Sequence, residues 1–401
     1  MEHINLYGRD ATLQNILKHY YPEYEKNNQI EDHLRQATFK MINCRTKVFG
    51  GHKYICPDCG EEKIVYNPCH HRACPECSSV AKEEWLNKQL SRLPNSSYFH
   101  TVFTIPNELN KYFILNRSFI TNIMFESSKE AVIGMANNPD FLGAEPGILS
   151  TLHTWGSALP LHPHIHMLIT DGGINFEGKW INAKRSKKNN KGFFIPVKGE
   201  KGLMGVFKGK LIYKLKGILY KNKLNLPDGV SKLEAEKEFD LLKNISWNVH
   251  IEEKTNSSSK VIKYLASYVK GGAIGNSRIK KVVNGIVYFY YKNSRNKRKR
   301  EVYKLDVFEF IRRVFLHIPE KGKKVVRNYG IFSNNSKKKL NKARNHFGQI
   351  PLEKVELIEV KRDVKCKNCG HKMFNYCEVE SLKQEMEREF ENKIAELKNI
   401  A

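Results

Sequence analysis

Histidines occupy every second position at the start of HPHIHMLITDGG, which covers residues 162–173. Alternate side chains of a β-strand lie on one face, so His164 and His166 share a face and Ile165 lies on the other. Two neutral imidazoles on one face can hold a divalent cation. Because His-x-His alone is a weak signal, a surface strand without a metal is the alternative. The DGG that follows predicts a turn.

Two tyrosines in KYLASYVK could supply a nucleophile. Tyr264 and Tyr268 lie four residues apart and would share one face of a helix. A tyrosyl oxygen can attack a phosphodiester and form a phosphotyrosine bond that keeps its energy for rejoining. The ordinary pKa of the phenol is about 10, so a cation that polarises the phosphate would assist the attack. Half-buried packing tyrosines are the alternative.

A sheet and a helix would have to position these groups. LSTLHTWG and HPHIHMLIT are typical of two adjacent antiparallel strands, and YFHTVFTIP of a third strand. SSSKVIKYLASYVKGG predicts a helix with a serine N-cap and a glycine stop. Phosphate oxygens suit Mg²⁺ or Mn²⁺.

The cysteines fall into two groups, at residues 44–77 and 366–377. Cys56-x-x-Cys59 and Cys74-x-x-Cys77 have the spacing of zinc knuckles, and we predict that their four thiolates share one structural Zn²⁺. A second zinc site could use the remaining ligands of this region, or its cysteines could be small buried residues; these ligands are Cys44, His52, Cys69 and either His70 or His71. A C-terminal zinc site is predicted from Cys366, Cys369, His371 and Cys377.

The charge of the chain favours a nucleic-acid partner. It has 68 Lys and Arg against 42 Asp and Glu, a formal net charge of +26. Basic loops at residues 184–191 and 295–300 could line a groove for the nucleic acid. The aromatic strand before the second loop offers stacking surfaces, although its inward members would be core. The predicted DNA-binding residues are Lys270, Arg295, Lys297, Arg298, Lys299 and Arg300.

Together these motifs resemble the two-tyrosine rolling-circle transposases of insertion sequences with an N-terminal zinc-binding domain. These enzymes belong to the superfamily of nucleases with a histidine–hydrophobe–histidine (HUH) motif. The resemblance runs from about Cys44 to Arg344 and rests on the cysteine region, YFHTVFTIP, LHTWG before HPHIH, and YLASYVKGGAIGNSRI. HPHIH followed by YLxxY is specific as a combination, although neither motif is specific alone.

The resemblance implies an α+β fold, with an antiparallel-sheet HUH nuclease domain of ferredoxin-like type. A zinc-ribbon-like domain would precede it, and a small C-terminal Cys/His module and helix would follow. The implied reaction is nicking of single-stranded DNA at the element's ends, which leaves a 5′-phosphotyrosine and a free 3′-hydroxyl. The second tyrosine would receive a second strand, so that target DNA is also a partner. The resemblance also implies a third metal ligand, which could be His153, unless that is a core histidine, or a polar residue near the tyrosines such as Asn276.

The sequence departs from the family pattern at two places. CHHRACPEC has Ala73 where relatives tend to have a histidine, so the zinc ligands of that knuckle are in question. YLASYVKG lacks the polar residues that tend to flank the tyrosines in relatives, and Lys270 is the nearest cation that remains.

We expect three regions: a helical and zinc-binding domain at 1–93, the nuclease domain at 94–320, and a basic region with a zinc knuckle and helix at 321–401. Without an apolar leader or a run of about 18 apolar residues, a bacterial cytoplasmic, nucleoid-associated protein with no membrane partner is expected. The sequence leaves the oligomeric state open. The alternative functions are a plasmid-type replication initiator or relaxase, and a non-catalytic zinc-ribbon DNA-binding protein.

Overall fold

The computed structural model describes residues 3–183, 199–252, 272–293, 299–356, 363–389 and 391. Its strands are β1 (Leu6–Tyr7), β2 (Gly51–Ile55), β3 (Glu62–Tyr66), β4 (Tyr98–Thr104), β5 (Glu145–Trp155), β6 (Leu161–Ile174), β7 (Trp180–Asn182), β8 (Asn248–Ile251), β9 (Ile279–Val283), β10 (Ile286–Asn293), β11 (Lys299–Asp306), β12 (Val326–Gly330) and β13 (Phe374–Val379). All the pairings between these strands are antiparallel.

Helices cover or connect these sheets. They are α1 (Leu13–Asn27), α2 (Asp32–Ile42), α3 (Ser78–Arg92), α4 (Asn110–Leu115), α5 (Arg117–Asn137), α6 (Gly199–Tyr220), α7 (Lys232–Leu241), α8 (Val307–Leu316) and α9 (Lys337–His346). The α+β class with antiparallel sheets, expected from the sequence, is confirmed. No helix in the described part of the chain is both long and apolar enough to span a membrane.

The central sheet carries the histidine strand in its middle. Its strands run in the order β12-β5-β6-β4-β8, and β7 pairs with β6. Along β6 the odd residues Ile165 and Met167 lie in the main apolar core, which includes residues of α5 and α6. The even residues His164, His166 and Leu168 lie on the other face, so the predicted alternation and the predicted pairing with β5 are confirmed.

The glycines at the end of β6 do not form the predicted turn, because the strand continues to Ile174. A Cβ at Gly172 would lie 2.4 Å from the carbonyl oxygen of Ile181 in β7. A Cβ at Gly173 would lie 2.4 Å from that of Glu145 in β5. The missing side chains thus let three strands approach closely.

A second sheet, in the order β1-β9-β10-β11, packs against α1, α2 and α8. Val287 and Phe289 of β10 are buried with Phe310 and Ile311 of α8. The Asp306 carboxylate accepts the Phe308 amide at 2.8 Å and caps α8. A third sheet, β13-β2-β3, joins the two ends of the chain.

Strands from the three expected regions pair with one another. β1 pairs with β9, β12 pairs with β5, and β13 pairs with β2. Each pairing crosses a boundary near residue 93 or 320, because local composition does not show which distant strands pair. The C-terminal helix is described over residues 382–389. The side chain of Met386 in this helix is 69% exposed, so it does not pack against the rest of the protein.

Candidate metal centre and nucleic-acid interface

Three histidines on two neighbouring strands form a compact cluster. The register of β5 and β6 places His153 opposite His164, and His166 follows on the same face. One ring nitrogen from each histidine lies within 4.8 Å of the others. His153 was one of two candidates for a third ligand, and the structure brings it together with the His-x-His pair.

The hydrogen bonds of His164 orient its ligand nitrogen into the cluster. Nδ1 of His164 lies 2.5 Å from the carbonyl oxygen of His162 and must donate, since a carbonyl only accepts. Nε2 therefore carries the lone pair, and it lies 3.0 Å from Nδ1 of His153. Adjacent ligands of an octahedral Mg²⁺ are separated by about 2.9 Å, so this spacing fits a divalent cation.

Burial keeps the three imidazoles neutral. The residues are only 5%, 8% and 4% exposed for His153, His164 and His166. Desolvation lowers the pKa of His164 to about 4, and it lowers the pKa of His153 and His166 well below the ordinary value, with neighbouring imidazoles adding to the shift. Since the neutral ring is the metal-binding form, protons would not compete with a cation at neutral pH.

Two residues that the sequence analysis missed support this cluster. Nε2 of His100 in β4 lies 2.8 Å from Nδ1 of His166, and Nδ1 of His100 lies 2.9 Å from the Glu252 carboxylate. Such carboxylate–histidine chains fix the orientation of a ligand ring. The signal was His100 in YFHTVFTIP, but only the strand register shows that it meets His166.

The other candidate for the third ligand has a structural role. Oδ1 of Asn276 accepts the Leu13 amide at 3.0 Å, and its side-chain nitrogen contacts Glu76. Both polar ends of the Asn276 side chain are thus used to join α1 to the loop before α3.

Four buried cysteines form what we call the inner cluster: Cys44, Cys69, Cys74 and Cys77. The sulfurs of Cys69 and Cys77 are 3.7 Å apart, close to the edge of about 3.8 Å expected for a ZnS₄ tetrahedron. The Cys69 amide also donates to the Cys44 sulfur at 3.5 Å.

The inner cluster needs a cation if all its thiols are to ionise. A hydrogen bond with Cys69 lowers the pKa of Cys44, whereas a hydrogen bond with Cys44 raises the pKa of Cys74. Stabilisation of one thiolate thus makes a neighbouring thiol harder to ionise. A Zn²⁺ ion that binds all four sulfurs would stabilise all of them as thiolates.

A second set, the bridging cluster, unites the two ends of the chain: Cys56, Cys59, Cys366 and Cys369. The prediction that the Cys56 and Cys74 knuckles share one zinc ion is therefore wrong. The prediction of a separate C-terminal zinc site is also wrong. Spacing identified the knuckles, but the pairing of β13 with β2 decides which two meet.

The remaining predicted zinc ligands lie outside these two clusters. The His52 ring contacts the Asn375 amide at 3.3 Å, and His371 pairs with Asp58 at 3.4 Å. His71 adjoins the inner cluster, where its ring accepts the Ala73 amide at 3.3 Å. Cys377 is exposed in β13 and donates to the Glu378 carbonyl oxygen.

Several predicted functional residues lie outside the described residues: Tyr264, Tyr268, Lys270, Arg295, Lys297 and Arg298. Lys299 and Arg300 are described and begin β11, where both are exposed. The Arg300 guanidinium lies 3.8 Å from the centre of the Tyr290 ring. A basic residue and an aromatic strand thus meet as the sequence led us to expect.

The chain resembles known transposases in both of its main parts. Residues 147–339 match a family model described as putative transposase, and residues 16–105 match a transposase zinc-binding domain. The putative transposase y4qJ of Sinorhizobium fredii is 32% identical over 343 residues, which are 84% of each chain. The transposase for insertion sequence element IS801 of Pseudomonas savastanoi pv. phaseolicola is 28% identical over 309 residues, 75% of this chain and 70% of the relative. No solved structure matches significantly.

The histidine cluster and the two cysteine clusters each bring together side chains that could hold a metal ion, and residues 16–105 match a zinc-binding domain. The chain belongs to the insertion-sequence transposases that carry such a domain, as the sequence motifs indicated. The three clustered histidines lie inside the putative transposase match, and the inner cluster lies inside the zinc-binding match. Cys366 and Cys369 lie outside both matches.

Proposed function

We propose that this transposase is a metal-dependent HUH endonuclease and strand transferase. It nicks and rejoins single-stranded DNA through 5′-phosphotyrosine intermediates during rolling-circle transposition. The observation that carries the proposal is the cluster of His153, His164 and His166, because three buried imidazoles converge on one point of the central sheet.

Tyr264 and Tyr268 are the proposed nucleophiles. The tyrosyl oxygen attacks the scissile phosphorus, the phenol loses its proton, and the bond from phosphorus to the 3′-oxygen breaks. The 5′ side of the nick stays on the tyrosine, and the 3′-oxygen takes up a proton to become a free hydroxyl. The same reaction in reverse, with another 3′-hydroxyl as the attacking group, rejoins DNA without an external energy source.

The histidines would hold Mg²⁺ or Mn²⁺ beside the scissile phosphate, with His153 as the third protein ligand. The cation supplies Lewis-acid stabilisation of the charge that develops on the phosphate oxygens. His100 and Glu252 are positioning residues that hold the His166 ring in place.

The chain path supports this assignment from the described side. The tyrosine segment follows β8 after Glu252, whose amide donates to the His100 carbonyl oxygen at 2.8 Å. Glu252 is the last described residue before the tyrosine segment, and it contacts His100, which in turn contacts His166 of the cluster.

A covalent-adduct assay tests the proposed function. Labelled single-stranded DNA that carries the element's end is incubated with the protein and Mg²⁺ or Mn²⁺, and denaturing gels reveal a protein–DNA adduct. We expect an adduct with the wild type and none with Tyr264→Phe/Tyr268→Phe. Tyr213→Phe is the control, since Tyr213 is 80% exposed on α6. Binding without an adduct for the wild type, on several candidate ends, would favour a DNA-binding protein without this chemistry.

The outer face of the second sheet is the proposed surface for single-stranded DNA. One row across its four strands alternates rings and cations in the order Tyr7, Lys281, Tyr288 and Lys304. The ammonium groups of Lys281 and Lys304 lie 4.8 and 5.6 Å from the Tyr288 ring centre. Bases can stack on such rings while the cations contact phosphates.

Tyr288→Ala/Tyr290→Ala is expected to weaken binding of single-stranded DNA about 100-fold, because stacking is worth about 1–3 kcal/mol per base. Fluorescence anisotropy over a salt series measures this loss, and Tyr213→Ala on α6 is the matched control. Binding of duplex DNA should change much less. Equal losses for single-stranded and duplex DNA would contradict a stacking surface.

A further inference from the structure

The bridging cluster brings four sulfurs within 4.8 Å of one another, although its two halves are about 310 residues apart in sequence. The sulfur of Cys369 lies 3.4 Å from that of Cys56 and 3.7 Å from that of Cys59, and the Cys59 and Cys366 sulfurs are 3.6 Å apart. These distances are near the edge of about 3.8 Å in a ZnS₄ site. They far exceed the disulfide length of about 2.05 Å.

The two halves repeat the same turn. In each, the glycine after the second cysteine donates its amide to the carbonyl of the first cysteine, at 3.0 Å for Gly60 and 3.2 Å for Gly370. These glycines have φ of 72° and 78°, a region that disfavours other residues. Two such turns facing each other are the arrangement by which zinc ribbons hold one ion.

The apolar core around the bridging cluster is small. Its buried members are Cys56, Cys366 and Met373, with Tyr54 and Val364 packed beside them. Units with so little apolar burial require a metal or a covalent link for stability.

Further contacts join the C-terminal segment, residues 363–389, to the zinc-binding domain. β13 pairs with β2 from Phe374 opposite Ile55 onwards. Asn368 donates to the Glu61 carboxylate at 3.2 Å, and Lys47 pairs with Glu385 at 2.9 Å.

We propose that the bridging cluster binds a second structural Zn²⁺ that fastens the C-terminal segment to the N-terminal zinc-binding domain. This domain is then discontinuous, and the match over residues 16–105 contains only half of the second site. Cys59 and Cys369 are exposed whereas the inner cluster is buried, so a chelator should remove the bridging ion first. The inference does not depend on the nuclease chemistry.

Zinc counting on the full chain tests the proposal, by elemental analysis and by stepwise release to a chromogenic chelator. We expect two ions per wild-type chain. Cys56→Ser/Cys59→Ser should hold one ion, and so should Cys366→Ser/Cys369→Ser. The variant that combines all four substitutions should still hold one ion, because both halves serve the same site. Cys377→Ser is the matched control and should keep two.

Separate sites at the two ends would predict that the combined variant loses two ions, and this result would overturn the proposal. One ion in the wild type would do the same. Limited proteolysis provides a second measurement: loss of the bridging ion should expose the C-terminal segment to cleavage at least tenfold faster, with the rest of the chain unchanged. Equal cleavage rates would contradict the fastening role.

Discussion

His164→Ala is expected to reduce metal-dependent nicking about 1000-fold while the protein stays folded. Lewis-acid stabilisation of a phosphoryl transition state is worth several kcal/mol, and each 1.36 kcal/mol corresponds to a tenfold change in rate. His164 carries this effect because its Nε2 lies at the centre of the cluster, 3.0 Å from His153. Adduct formation measures the loss of nicking, and titration with Mn²⁺ by calorimetry measures the loss of metal affinity.

His162→Ala is the matched control for this variant. His162 lies on the same strand and face, and its ring is 5.1 Å from that of His164, but it does not belong to the three-histidine cluster. Its carbonyl oxygen, which orients His164, remains in the alanine variant. We expect less than a tenfold loss of nicking. If His164→Ala lost nicking with unchanged Mn²⁺ affinity, the cluster would not be the metal site.

The histidine strand, β6, shows which part of the histidine cluster the local sequence pattern predicts. Alternation in HPHIH placed His164 and His166 on one face, and the structure has them there. His153 and His100 stand as single histidines in other strands, and the local sequence does not show which side chains a single histidine contacts. Their roles depend on the register that sets His153 opposite His164 and brings His100 to His166.

The cysteines show the same limit for metal sites. The C-x-x-C spacing predicted Cys56, Cys59, Cys366 and Cys369 as zinc ligands, since a knuckle is a local turn. Which knuckles share an ion depends on strand pairing between residues more than 300 positions apart. The same limit applies to Gly172 and Gly173. The local sequence predicted a turn, but in the structure the backbones of neighbouring strands lie close to these glycines.

Cys74→Ser should remove the inner zinc and lower the melting temperature by about 10 °C. The inner cluster lies within the core that α1, α2 and α8 share with the second sheet. Loss of the ion leaves buried thiols and a polar hydroxyl without their ligand, at a cost of about 3 kcal/mol or more. For a domain of this size, each kcal/mol corresponds to about 2–4 °C.

Differential scanning fluorimetry and zinc content measure this effect together. Cys377→Ser makes the same chemical change at an exposed cysteine and should shift the melting temperature by less than about 2 °C.

Substitution in the inner cluster should also disturb the sheet that carries Tyr288, because Phe289 beside it packs in the same core. Weaker binding of single-stranded DNA by Cys74→Ser would follow from that disturbance. An unchanged melting temperature with one zinc lost would instead mean that the core is stable without this ion.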